Sequence, residues 1–318
     1  MINKNRIKHF SLSFLKILIF VATLYYLYFK VISTDKFNDF FHQFTFLSTN
    51  DYLIIASVLI LMLVNWGIET LKWKFLISKI EDIKFLKAYK AVWSGVTINN
   101  WVPNRMAEFL GRIFFITKGN KAKAVFSTLV GNLSNMLITF LFGSIALLFW
   151  LDKISILIVI LLILLNLLLG ILFFNVSIFT ILLEKIKWLD KFKKHADILR
   201  EYNKSELLRI YFYSLIRYLT YAIQYFLLLK AFGIEVNFFT GITGVALIFV
   251  IQSVLPAVTF TEIGIRGAVV IFVFEKFSSN FAALLAAAYL LWLINIIIPT
   301  IFGGIFILTL KRNNQEKK

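Results

Sequence analysis

Apolar positions in this chain gather into long runs separated by short polar stretches. Six of these runs are long enough to cross a hydrocarbon core of about 30 Å. They lie at about Phe10–Ile32, Tyr52–Leu71, Val125–Leu151, Ile154–Leu183, Ile210–Ala231 and Phe281–Leu310. Two further apolar stretches are interrupted. The first, 91–118, carries Asn99, Asn100, Pro103, Asn104 and Arg105 at its centre and Glu108 and Arg112 just beyond. Proline has no backbone donor and disfavours helix at the residue before it, so the pattern predicts two short helices meeting at a polar break. Each half is roughly a dozen residues, or about 18 Å at 1.5 Å per residue, and neither crosses alone. The second, 240–276, is broken at Pro256 and continues with Glu262 and Arg266. In both stretches a proline precedes Glu-x-x-x-Arg, a spacing that puts the pair on one helical face. Each stretch is expected to be a hairpin that leaves by the side it entered. Two short, tilted crossings would give the same sidedness.

The charges between the runs fix the orientation. With six spans and two hairpins, Lys30, Lys36, Lys153, Lys230 and Lys276 lie at the outer side, and the other loop cations are cytoplasmic, as the positive-inside rule requires. A single full crossing by the first hairpin would move the basic loop 184–209 outside and collapse that bias. Both termini are therefore expected in the cytoplasm, with the chain in a bacterial inner (plasma) membrane. The N-terminal run is long and lacks a small-residue cleavage site, so it reads as an uncleaved span. The loop 184–209 spaces Ile186, Leu189, Phe192 and Leu199 among its charges, which predicts an amphipathic helix at the interface. The fold class is thus an all-α polytopic membrane protein of two units, 1–151 and 152–318. Each unit reads span, span, hairpin, span, with the hairpins opening to opposite sides. This is an inverted-topology repeat, in which interrupted segments at matching positions point to a midplane site.

Composition agrees: 60% of the 318 residues are hydrophobic and the formal charge is +17, with a mean hydropathy of +0.83. The basic residues sit between spans and not along one soluble face, which argues against nucleic acid. The chain has no cysteine, excluding disulfides and thiolate metal sites. His9, His42 and His195 are scattered without metal-ligand spacing. No metal, cofactor or catalytic residue is expected.

The second half-helix of a hairpin begins at its tip, and its unpaired N–H groups favour an anion, phosphate in particular. Arg105, Arg112 and Arg266 add full charge and bidentate geometry. With Asn100 and Asn104 they are candidate substrate-binding residues, although Asn99 and Asn100 equally suit capping of the broken backbone. Glu108 and Glu262 either neutralise their arginines or carry a coupling proton. In the fifth span Ser214, Arg217, Tyr221 and Gln224 share a face that predicts a polar cavity wall, while snorkelling accounts for Arg217 alone. Asn65 with Glu69, and Asn132, Asn135 and Thr139, read as interhelical hydrogen-bonding groups. Gly303, Gly304 and the alanines from Ala282 to Ala288 suit close helix packing.

VPNRMAEFLGRIFFI and VLPAVTFTEIGIRGAVVIFVF resemble the two broken segments of the lysylphosphatidylglycerol synthase transmembrane-region family, whose members are described as flippase-like integral membrane proteins. The resemblance carries over Pro103, Arg105, Glu108 and Arg112 from the first segment, and Pro256, Gly264 and Gly267 from the second. The family commonly has Gly-Gly-x-Gly and then Glu in the second hairpin. Here Glu262 comes earlier and Arg266-Gly267 follows. Only a short basic tail follows the sixth span, so the resemblance implies the lipid-translocating part without the soluble aminoacyl-transferase domain. The expected partner is a membrane lipid with an anionic, phosphate-containing head group, moved between leaflets. Homo-oligomerisation or a soluble partner enzyme is compatible with the sequence, and the competing reading is a membrane-embedded transferase or accessory protein for lipid-linked substrates. Against an enzyme, there is no Gly-rich nucleotide loop and no Asp-x-Asp metal pair.

Overall fold

A computed structural model describes residue 25 and residues 37–101, 107–117, 119–150, 155–176, 178, 195–255 and 259–315. Apart from Tyr25 the first predicted span lies outside the described residues, as do Pro103, Asn104, Arg105, Pro256, the end of the fourth span and the start of the basic loop. The described residues form helices and no strand. In chain order these are α1 (Phe37–Thr45), α2 (Thr49–Ile77), α3 (Phe85–Trp101), α4 (Glu108–Ile113), α5 (Lys121–Trp150), α6 (Ile156–Phe174), α7 (Lys204–Ala231), α8 (Phe238–Val254), α9 (Thr259–Phe274), α10 (Phe281–Trp292) and α11 (Ile298–Gln315). Four described segments, Thr49–Ile77, Lys121–Trp150, Ile156–Phe174 and Phe281–Leu310, are long and apolar enough to cross a membrane. The chain is a multi-pass, all-α membrane protein.

Capping sets several boundaries. Ser48 and Asp51 form a capping box at the start of α2, and Asn203 and Glu206 form another at α7, satisfying amides that a helix N-terminus leaves unpaired. α2 runs 29 residues, six beyond the predicted end at Leu71, so Lys72 belongs to the helix and not to a basic loop. α6 stops at Phe174, well short of Leu183, where Asn175 turns out of helical geometry and its side chain donates to the Ile171 carbonyl at 2.9 Å. The stretch read as a loop between the first two spans contains α1, whose Phe40 and Phe44 meet Tyr289 and Phe232 edge-on.

The described part of the basic loop also departs from expectation. Ile198, Leu199 and Tyr202 are buried in the bundle, with Tyr202 Oη bonded to the Leu76 carbonyl and Ser127, each at 2.9 Å. Lys79 binds Glu206 at 2.9 Å and the Glu201 carbonyl at 2.8 Å. Although partial burial opposes it, the Lys79 ammonium and the Asn203 amide hold the Glu206 carboxyl below its usual range. This segment is a strap on the helix ends and not a free interfacial helix.

α2 packs along α7 at the centre of the bundle. α3 folds back on α4 and leans on α11, while α8 folds back on α9 and leans on α5. The arms of the first hairpin touch backbone to backbone: a Cβ on Gly111 would lie 2.3 Å from the Ser94 carbonyl oxygen, and one on Gly95 2.7 Å from that of Glu108. Both ends of this segment meet at Glu81, which accepts from the Thr117 amide and hydroxyl at 2.8 Å each, the Gly119 amide at 3.2 Å and Lys87 at 2.9 Å. The chain therefore returns to the end of the bundle from which α3 started. The second hairpin is closed by an aromatic knot at the end of α5. Trp150 donates to Thr243 at 3.2 Å near the start of α8 and packs edge-on against Phe274 and Phe277 at the end of α9.

Between α10 and α11, Leu293–Ile297 forms a π-turn. Pro299 has no N–H to return to the preceding turn, and Trp66 Nε1 donates to the Asn295 carbonyl at 3.2 Å. Gly303 lets α3 approach: a Cβ there would lie 2.2 Å from the Trp93 carbonyl oxygen, whereas Gly304 has only an ordinary contact at 3.8 Å.

Candidate functional site

Glu69 organises the polar interior. Residues 65 and 69 share a face of α2, and one further turn brings Lys72 onto it. Lys72 Nζ contacts Glu69 Oε2 at 2.8 Å. It also donates to Asn135 Oδ1 at 2.8 Å and reaches Ser214 Oγ at 3.2 Å. The other Glu69 oxygen accepts from Arg112 of α4 at 2.9 Å, and Arg112 is paired as well with Glu108 one turn earlier. Arg217 of α7 approaches Glu69 Oε2 at 3.4 Å. The side chains of Glu69, Lys72 and Arg112 are 3%, 1% and 2% exposed, whereas Arg217 is 26% exposed. Indole faces back two of the guanidiniums, Trp73 at 5.8 Å from Arg112 and Trp66 at 5.3 Å from Arg217, a cation–π arrangement that suits a desolvated cation.

Beside this cluster is a cavity of about 260 Å³. Arg217 and Arg266 both line it, together with Asn65, Asn135, Tyr221 and Asn295 from four helices and the π-turn's wall. Arg266 of α9 pairs with Glu262 one turn back. The cavity sits half-way along the long helices: Asn65 is the seventeenth of 29 residues in α2, Asn135 the fifteenth of 30 in α5 and Arg217 the fourteenth of 28 in α7. Its volume is just below the roughly 300–1,000 Å³ of drug-sized sites, which suits a head group and not a whole lipid. Asn65 Nδ2 donates to Asn295 Oδ1 at 3.2 Å, so the π-turn is fastened to the cavity wall. Such turns recur at functional sites.

The predicted residues divide. Arg217 and Arg266 face one cavity. Arg112 and Glu108 lie in the adjoining ion network, and Glu262 holds Arg266. Asn100 is turned to Thr300 at 3.4 Å, as Thr97 is to the Thr300 carbonyl at 2.8 Å. Gln224 is fully buried and donates to the Val58 carbonyl at 2.9 Å, away from the cavity its stripe was expected to line. Gly264 and Gly267 are buried in α9; at Gly267 a Cβ would lie 2.4 Å from the Tyr289 hydroxyl, so it sets the α9–α10 approach. Arg105, Asn104, Pro103 and Pro256 are outside the described residues. Sequence reasoning missed Lys72 and the central place of Glu69. The Glu-x-x-Lys spacing from 69 to 72 was the available signal.

Long helices enclosing a charged, polar chamber half-way along their length, four described segments being apolar enough to cross a membrane, define a polytopic membrane protein with an internal polar site. Residues 13–303 match the family described as Lysylphosphatidylglycerol synthase TM region, and the chain belongs to that family. It is a membrane protein of a lipid-acting family. No match was found among curated proteins or among solved structures.

Proposed function

We propose that this protein moves a lipid with an anionic, phosphate-containing head group between the leaflets of a bacterial inner membrane, both termini being cytoplasmic. The observation that carries the reading is the cavity lined by Arg217 and Arg266 half-way along the bundle. Ionisable groups at membrane depth cost roughly 2.5–3.5 kcal/mol each at a helix centre, a cost that a binding role explains. The head group lies between the two guanidiniums, and Arg112 with Glu108 and Glu69 forms the wall behind them. The helix pairing supports an inverted repeat of 1–151 and 152–318. The first arm of each hairpin leans on the last long helix of the other half, and each hairpin closes at its own end of the bundle, one at Glu81 and the other at Trp150. Both hairpins are re-entrant on this reading. On this reading the protein performs no covalent chemistry.

The test is leaflet exchange of labelled lipids in liposomes containing the purified protein, comparing anionic and zwitterionic head groups. Arg217→Ala and Arg266→Ala should each abolish exchange of the anionic lipid while the protein still reaches the membrane. Undiminished exchange in both variants would remove the cavity from the mechanism.

A further inference from the structure

We infer that Glu69 is a built-in competitor for the transported anion, holding Arg217 by an ion pair that the head-group phosphate exchanges with. The inference rests on the reading of the cavity as an anion site and adds the residue that sets its affinity and release.

Among the described residues, two carboxylates, Glu69 and Glu108, face three cations, Lys72, Arg112 and Arg217. The cluster is thus one negative charge short of neutrality. Across the cavity Arg266 is paired with Glu262. A bound monoanion completes the balance, and an unpaired charge in such a setting is strongly disfavoured.

The geometry names the cation that changes partner. Lys72 is locked, at 2.8 Å from both Glu69 Oε2 and Asn135 Oδ1. Arg112 is locked between Glu69 and Glu108. Arg217 shares Oε2 with Lys72, has the longest of the three ion pairs at 3.4 Å, is the most exposed and lines the cavity. Its Nε makes no hydrogen bond, and among the described residues it has no other carboxylate. Trp66 holds the guanidinium plane at 5.3 Å, so Arg217 can turn from the carboxylate toward an anion without losing its support. Glu69 is a positioning residue here. It raises the threshold an anion must pass to bind, and it recaptures Arg217 when the anion leaves, which speeds release.

The test uses the full chain, purified in detergent for binding and in liposomes for exchange. The probes are short-chain phosphatidylglycerol, glycerol phosphate and short-chain phosphatidylcholine. Glu69→Asp keeps the charge and draws it back by one methylene. Glu69→Gln with Lys72→Met deletes one matched ion pair and leaves Arg112 with Glu108. Both should bind a phosphate probe more tightly, roughly tenfold for the double variant, the scale of one hydrogen bond to a charged group. Both should also turn over more slowly, a split between affinity and rate that a merely structural loss does not produce. Tightening with glycerol phosphate as large as with the lipid identifies phosphate itself as the competing group; tightening confined to the lipid assigns the competitor to a lipid head group. Unchanged or weaker binding in both variants, with wild type binding and Arg217→Ala not, would overturn the role of Glu69 and leave the anion site standing. If wild type binds neither phosphate probe, the anion site falls, and the inference with it.

Discussion

Glu81 shows how one side chain can fix a fold element. It stands before the first hairpin, with its side chain 8% exposed, and accepts from residues on both sides of that hairpin. Glu81→Ala strands two backbone amides and Lys87, so it should cost about 3 kcal/mol, the scale of losing hydrogen bonds to a charged acceptor. A lowered thermal midpoint of the purified protein would report this, and an unchanged midpoint would mean that the Gly95–Gly111 contact alone closes the hairpin. Sequence reading was weakest at this scale. Lys72 and Lys74 look alike in the run ETLKWKF, yet Lys72 is buried and Lys74 is partly exposed beside Asp82. Both lie within α2, and what separates them is the face each occupies; the partners that make burial of Lys72 tolerable, Asn135 and Ser214, come from α5 and α7. Gln224 likewise depends on a distant partner. Helical spacing placed it on the stripe with Arg217, but its amide donates to the Val58 carbonyl of α2, a partner that spacing along α7 does not show.

At the scale of the element, glycines divide into those that carry a contact and those that do not. A methyl on Gly111 would meet the Ser94 carbonyl oxygen at 2.3 Å and the Gly95 amide at 2.5 Å, both backbone atoms, whereas nothing lies within 4 Å of one on Gly67. Gly111→Ala should therefore pry the arms of the first hairpin apart, costing about 1–3 kcal/mol as overpacking. Gly67→Ala should instead raise stability by roughly 0.5–1 kcal/mol, because alanine is the better helix former. Thermal midpoints of the two variants moving in opposite directions would bear this out; equal shifts would contradict the close approach. The broken segments themselves were legible because proline, asparagine and charge stand out in an apolar run. Their pairing with α11 and α5 was not, since it depends on Gly303 and Gly143 meeting the Trp93 carbonyl and Val250. The π-turn had a sign in Pro299, the one proline inside a predicted span, but its partner Trp66 is more than two hundred residues away.

The whole molecule is defined by where the hairpins close. Residues 84 and 121 flank the first hairpin and residues 235 and 279 flank the second, and all four are exposed. In the inverted arrangement each pair lies on one side of the membrane, and the two pairs lie on opposite sides. A hairpin that crossed the membrane as a single span would split its own pair. The distinction is accessible because the chain has no native cysteine. Single variants Lys84→Cys, Lys121→Cys, Glu235→Cys and Ser279→Cys can be labelled from either side of sealed vesicles with a membrane-impermeant maleimide. Lys84→Cys and Lys121→Cys should react from the cytoplasmic side only, and Glu235→Cys and Ser279→Cys from the outer side only. Opposite-side labelling within either pair would end the re-entrant reading and the inverted repeat together, since the closures at Glu81 and at Trp150 would then no longer mark two ends of one pseudo-symmetric bundle. Matching labels within each pair, on opposite sides for the two pairs, would keep the inverted repeat standing, with Arg217 and Arg266 facing one cavity half-way along the long helices.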